Sequence, residues 1–139
     1  MSTRLKEREE KILQVLTYLA EESAKGTLII VEGKKDIEAL RTVGVDGKII
    51  SAKTGGRALI DVVSEIEECG AQEVILLLDF DRRGEEWTKR LKQHLERSGV
   101  KPNTVFWHEL LNLVGKDIKD VESLTTYMET LKRKSADFT

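Results

Sequence analysis

The stretch VILLLDFDRRGEEW, from Val74 to Trp87, carries the strongest indication of the fold. Its first five residues are apolar, and so short an uninterrupted run is typical of a strand buried on both faces in a parallel sheet. Asp79 and Asp81 follow the run directly, and Gly84 comes three residues after the second aspartate. Ligands of open parallel sheets bind beyond the carboxyl ends of the strands. We therefore expect both carboxylates at that edge of the sheet.

Two interpretations of Asp79 and Asp81 are open. Strand side chains alternate, so the two carboxylates point the same way if the strand continues that far. Such a pair is a site for a hard divalent cation. Alternatively, the pair caps a helix that begins near Arg83, because aspartate is favoured at helix N-caps. A cap needs only one aspartate, which favours metal or phosphate chemistry.

Composition excludes several classes of protein. A chain of 139 residues with 40% hydrophobic and 35% charged residues is typical of one soluble globular domain. The net charge of -2 argues against a domain that is basic all over, but it leaves room for a basic patch beside an acidic site. The single cysteine excludes an internal disulfide framework and a cysteine zinc cluster. No apolar run approaches membrane-spanning length and the amino terminus lacks a secretory apolar segment, so a cytoplasmic protein is predicted.

Helical and strand patterns alternate along the chain. Amphipathic periodicity predicts an N-terminal helix over residues 3–22 and a C-terminal helix over 117–132, flanking a core of about 27–107. Strands are predicted at 28–31, 48–51, 74–78 and 104–107. Helical patterns separate the first three strands and follow the third. The alternation is typical of a parallel α/β sheet, and we predict a single domain over 1–139.

Charged and glycine residues follow the first three predicted strands. Glu32 follows the first, Asp79 and Asp81 follow the third, and the second leads into Lys53, Gly55, Gly56 and Arg57. Right-handed crossovers place these three loops on the same side of the sheet. Carboxylates there can hold Mg²⁺, cations can hold flanking phosphates, and the glutamate can also move a proton. The double glycine either lets a phosphate approach the helix start or makes a tight turn.

Two motifs at this edge resemble those of Toprim domains. The segment VEGKKD, residues 31–36, is similar to a hydrophobic strand ending in EGxxD, and LDFDRRG, residues 78–84, is similar to hhhDxDxxG. They occur in the family's order with a double glycine between them, and the resemblance covers about residues 27–107. The small size is similar to stand-alone archaeal and bacterial Toprim proteins. Bacterial primases, type IA and type II topoisomerases, the ribonuclease that matures 5S ribosomal RNA, overcoming-lysogenization-defect nucleases and recombination proteins of the RecR type share this domain.

The resemblance implies a Rossmann-like Toprim fold, an α/β domain whose central, mainly parallel four-stranded sheet is flanked by helices. It implies that Glu32 is a general acid or base, or a metal ligand, and that Asp79 and Asp81 bind Mg²⁺. Mn²⁺ is an alternative ion, and a two-metal site is compatible with the pattern. Topoisomerase versions read DxDxE, whereas Arg83 stands at that last position here. The DxDxxG form resembles the primase and maturase branch.

The other motif residues have less specific signals. Asp36 either braces the Glu32 loop or sits in the first turn of its helix, and Gly33 and Gly84 are expected to be structural. The cations Lys34, Lys35, Arg82 and Arg83 are candidates for phosphate contact, with solvation or structural ion pairs as the alternatives. Trp87 is expected in the core. Trp107 either stacks on a base or packs inside the protein.

The leading hypothesis is a Mg²⁺-dependent nucleic-acid phosphoryl-transfer protein of the Toprim type, either a small nuclease or a primase-like enzyme. The alternative is a non-catalytic module that recruits RNA or DNA to a processing or repair complex, with protein partners there. A third interpretation is a nucleotide-binding regulator. The sequence is compatible with either RNA or DNA as the nucleic acid, and it predicts no particular oligomeric state.

Overall fold

A computed structural model describes residues 2–53 and 56–136 of the chain. The described helices are α1 (Ser2–Ala24), α2 (Lys34–Thr42), α3 (Leu59–Glu68), α4 (Arg82–Arg97), α5 (Val105–Val114) and α6 (Leu124–Ala136). The described strands are β1 (Leu28–Val31), β2 (Ile49–Ser51), β3 (Glu73–Leu76) and β4 (Lys101–Asn103). None of these helices combines the length and the apolar composition that crossing a membrane requires.

The four strands form one sheet in the order β2-β1-β3-β4, and all three neighbouring pairs are parallel. At its centre, Ile30 is paired with Ile50 on one side and with Leu76 on the other. The predicted α/β class with a parallel four-stranded sheet is therefore confirmed.

Helices cover both faces of this sheet, which explains the uninterrupted apolar runs in its central strands. Ile29, Val31 and Ile75 belong to a core cluster with residues of α1, α2, α5 and α6. Ile30 and Leu76 belong to the opposite cluster, with residues of α3 and α4. All five side chains are fully buried. Successive strand residues thus alternate between two cores, and both faces require apolar side chains.

The prediction for the fourth strand is wrong. The strand is Lys101–Asn103, and Val105–Val114 forms a helix. Pro102 is tolerated in this strand because β4 lies at the edge of the sheet and pairs with β3 alone. The helix buries Phe106, Trp107, Leu110 and Val114 at helical spacing. Likewise, the helix predicted over 117–132 begins only at Leu124.

Candidate metal and phosphate site

The backbone of Glu32 is held between the ends of β1 and β2. The residue follows β1 directly, and its carbonyl oxygen accepts hydrogen bonds from the Lys53 backbone N–H at 2.9 Å and from the Ser51 hydroxyl at 3.2 Å. The side chain is only 5% exposed. Glu32 thus presents its carboxylate at the carboxyl edge of the sheet, where the motif analysis expected it.

The Glu32 carboxylate is paired with Lys53. Glu32 Oε1 lies 2.9 Å from Lys53 Nζ. This ion pair lacks hydrogen-bond geometry, and Oε1 has no hydrogen-bond partner in the described part of the chain. The Lys53 ammonium also lies 5.7 Å from the centroid of the Trp87 ring, within the range of a cation–π interaction. Trp87 is half-buried: it packs against the core cluster on the α3 and α4 side of the sheet and also borders the site.

Asp79 is the most strongly perturbed acid of the site. Its Oδ1 is buried and has no hydrogen-bond partner among the described residues. Burial raises the pKa of Asp79 to about 9, with further contributions from the neighbouring Glu32 side chain and from the charges of Asp36 and Asp81. Desolvation and like charges both disfavour an ionised carboxylate. The four motif acids therefore lie close enough to act on one another.

Contacts from two other elements fix the backbone of Asp79. The indole N–H of Trp107, in α5, donates to the carbonyl oxygens of Leu78 at 3.0 Å and Asp79 at 3.2 Å. Gly84 packs directly on the same peptide, where a Cβ would overlap the Asp79 carbonyl oxygen. Trp107 is buried, so its role is packing and hydrogen bonding, not base stacking. The glycine of the DxDxxG motif is required here by close approach.

Asp81 is the N-cap of α4. Its Oδ1 accepts a hydrogen bond from the Gly84 backbone N–H at 2.7 Å, and the helix begins at Arg82. The capping interpretation thus holds for Asp81, while Asp79 lies before the cap. One aspartate of the pair suffices for this purpose. The helix N-terminus also favours negative charge at this point of the site.

Asp36 has both of the roles that the sequence left open. It lies in the first turn of α2, and its Oδ2 accepts from the Gly33 N–H at 3.0 Å, which braces the loop after Glu32. Its Oδ1 accepts from the Glu122 N–H at 2.8 Å. Burial raises the pKa of Asp36, although these two backbone hydrogen bonds lower it. Asp36 therefore ties the first motif to the segment that follows α5.

That segment adds two acids that the sequence analysis missed. Carboxylate oxygens of Asp36, Asp120 and Glu122 lie within 4.8 Å of one another, an arrangement that could hold a cation. Asp120 Oδ1 already accepts hydrogen bonds from the backbone N–H and the hydroxyl of Ser123. No motif marks these two acids in the sequence, because only tertiary packing places their loop against α2.

The predicted phosphate ligands have different environments. The Arg57 guanidinium donates to the carbonyl oxygens of Ser51 and Asp61 and pairs with Glu65, so it also secures the connection from β2 to α3. Lys34, Arg82 and Arg83 are exposed at the starts of α2 and α4. Arg82 makes a long ion pair with Glu86 at 3.8 Å. Gly56 has a φ of +67°, and Gly55 lies outside the described residues.

Taken together, the parallel α/β sheet and the carboxylates after its first and third strands define a Toprim-type domain. The Toprim domain model matches residues 27–112, and the chain belongs to this family. The resemblance carried by the EGxxD and DxDxxG motifs is confirmed.

Particular relatives of similar size match most of the chain. A UPF0292 protein from Methanosarcina acetivorans is 38% identical over 130 residues, which cover 94% of this chain and 88% of the relative. A UPF0292 protein from Methanocaldococcus jannaschii is 41% identical over 120 residues, covering 86% and 91%. The solved structure of a protein from Aquifex aeolicus has a TM-score of 0.65 at 28% identity and covers 79% of this chain and 94% of that one.

Proposed function

We propose that this protein is a Mg²⁺-dependent enzyme that cleaves or transfers phosphodiester groups of nucleic acid. The observation that carries the proposal is a pair of buried carboxylate oxygens at this edge: Asp79 Oδ1 has no hydrogen-bond partner in the described chain, and Glu32 Oε1 has only its ion pair with Lys53. Buried polar atoms are nearly always satisfied in folded proteins. Carboxylate oxygens are also ligands that Mg²⁺ accepts. A divalent cation at this edge would satisfy both atoms, so the donor set fits the metal that the Toprim family implies.

The charges of the site support the same assignment. Glu32, Asp79 and Asp81 would hold Mg²⁺, or Mn²⁺ in its place. When bound, the ion supplies Lewis-acid stabilisation of the charge on a phosphoryl oxygen. The raised pKa of Asp79 reflects burial and crowded negative charge, and a cation bound beside it would offset that charge and favour the ionised carboxylate.

The chain's own residues supply proton transfer and phosphate binding. In this proposal Glu32 acts as the general acid or base, taking a proton from an attacking oxygen or giving one to a leaving oxygen. Lys53 lies beside it. The exposed Lys34, Arg82 and Arg83 can neutralise phosphates on either side of the scissile bond. Such contacts position a nucleic acid without reading its sequence.

Cleavage of labelled RNA and DNA, single- and double-stranded, tests the proposal in the presence of Mg²⁺ or Mn²⁺. We expect Glu32→Gln to lower the rate by about 10²–10⁴-fold, the usual contribution of a general acid or base, with nucleic-acid binding retained. Glu96→Gln is the matched control, because Glu96 is an exposed acid near the far end of α4. Metal-dependent cleavage that survives Glu32→Gln would overturn the assigned role.

A second candidate is a non-catalytic module that recruits RNA or DNA to a processing or repair complex. Two observations favour it: one Asp81 oxygen is used by the helix cap, and Arg83 stands where topoisomerases have a third carboxylate. In this case the protein binds nucleic acid but does not cleave it with either metal.

A further inference from the structure

The side chain of Lys53 joins three parts of the candidate site. It rises from the loop after β2, its ammonium lies 2.9 Å from Glu32 Oε1, and the same ammonium lies 5.7 Å from the Trp87 ring centroid in α4. Lys53 is 32% exposed, whereas Glu32 is 5% exposed. The lysine therefore covers the buried carboxylate on its solvent side and supplies the positive charge that a buried anion requires.

The oxygen that Lys53 contacts is the one assigned to the metal. A divalent cation at Glu32 Oε1 would lie within a few ångströms of the singly charged ammonium in a partly buried site, where repulsion between two cations is strong. The ammonium and the metal are thus alternative partners of one oxygen. Lys53 can leave because its stem is flexible and its side chain is partly exposed, whereas Glu32 is fixed by its buried position.

We propose that Lys53 is an internal counter-ion of Glu32, which a divalent metal displaces, and that the released ammonium then binds a phosphate of the substrate. The inference rests on the proposed function and adds an exchange of cations to it. The Lys53 backbone N–H donates to the Glu32 carbonyl oxygen at 2.9 Å, so the base of the side chain stays at the sheet edge during the exchange. The ammonium can keep its cation–π contact with the Trp87 ring when its ion pair with Glu32 breaks.

A permanent structural ion pair makes the opposite prediction. If Lys53 only held Glu32 in place for metal binding, removing the ammonium would disorder the carboxylate and lower the affinity of the protein for the metal. If the two cations compete for Glu32, removing the ammonium raises the affinity of the protein for the metal. The sign of the change in metal affinity therefore separates the two roles.

The test is calorimetric titration of MnCl₂ into the nucleic-acid-free protein, comparing wild type with Lys53→Met. The variant keeps an unbranched side chain without the charge. We expect its dissociation constant for Mn²⁺ to fall at least about tenfold, the effect of removing one close charge pair. Lys92→Met is the control for net charge, because Lys92 is exposed on α4, and its effect should stay within about twofold. An unchanged or weakened Mn²⁺ affinity of Lys53→Met overturns the exchange.

Two further readouts keep the inference testable if Lys53→Met folds poorly. Lys53→Gln also removes the charge but retains a hydrogen-bond donor toward Glu32, and it should tighten Mn²⁺ binding in the same direction. Both variants should bind labelled RNA and DNA more weakly than wild type in Ca²⁺, by about threefold to tenfold for one lost phosphate contact. Unchanged nucleic-acid affinity overturns the phosphate role of Lys53. If wild type itself binds no Mn²⁺, the proposed function fails together with the exchange.

Discussion

Replacing Asp79 with asparagine should stabilise the metal-free protein at neutral and alkaline pH. In the folded state Asp79 keeps its proton up to a pKa of about 9, whereas an unfolded aspartate releases it near 3.8. Between these values only the folded state binds the proton, so the stability that Asp79 contributes is complete below about pH 4 and is lost as the pH rises toward 9. Asparagine resembles the protonated acid in shape and can donate to Glu32, but it does not titrate.

The size of the effect follows from the same difference. One pKa unit corresponds to about 1.4 kcal/mol, so the raised pKa of Asp79 can lower the free energy of unfolding of wild type by about 4 kcal/mol between pH 4 and pH 7. Asp79 shares its environment with Glu32, and coupled acids divide such an effect between them. We therefore expect Asp79→Asn to exceed wild type by about 2–3 kcal/mol in free energy of unfolding at pH 8, and to match it near pH 4.

Urea denaturation from pH 4 to pH 9 in the presence of EDTA measures this difference. The comparison with wild type is essential because burial also raises the pKa of Asp36, which adds its own pH dependence. Asp46→Asn serves as the control, since Asp46 is exposed in the turn between α2 and β2. A variant that is equal to or less stable than wild type at pH 8 would refute the argument that Asp79 is held protonated.

Three more substitutions test contacts around the site. Gly84→Ala should destabilise the protein by about 1–3 kcal/mol and weaken Mg²⁺ binding, because the new methyl group overlaps the Asp79 carbonyl. Urea denaturation measures the stability and calorimetry measures the Mg²⁺ affinity. Unchanged values of both would contradict the close approach of Gly84 to Asp79. Trp107→Phe leaves the carbonyls of Leu78 and Asp79 without their indole donor and should cost about 1–3 kcal/mol, so equal chemical stability would show that these hydrogen bonds contribute little. Arg57→Met should lower stability by about 1–2 kcal/mol through its lost carbonyl contacts, and a phosphate-only role would leave unfolding unchanged.

Local patterns predict the centre of the fold well. The apolar runs around Ile29 and Ile75 are buried on both faces, and the spacing of strands and helices requires parallel crossovers. The edge was harder to predict. Pro102 and Asn103 look like a turn in isolation, and only the position of β4 beside a single neighbour makes them a strand. Because residues 104–107 were assigned to a strand, the helical spacing of the apolar residues in Val105–Val114 was not recognised.

The candidate site, like the fold, has parts that local sequence patterns predict and parts that they do not. Glu32, Asp79 and Gly84 follow from motif order and from the common side of parallel strand ends. Strand order also places Lys53 at this edge, but its ion pair with Glu32 and the hydrogen bonds from Trp107 in α5 join separate segments of the chain. Pairing between such segments depends on packing, and no spacing in the sequence encodes it.

The most direct test of the central claim is a Mg²⁺ titration of the wild-type protein and of the double variant Asp79→Asn with Asp81→Ser. Serine keeps an oxygen for the N-cap of α4, so the variant removes both carboxylates without removing the cap. We expect saturable Mg²⁺ binding by wild type and at least about 100-fold weaker binding by the variant, since two of the three proposed carboxylate ligands are gone. Mg²⁺ binding of equal affinity in both proteins would contradict a metal site at this edge of the sheet.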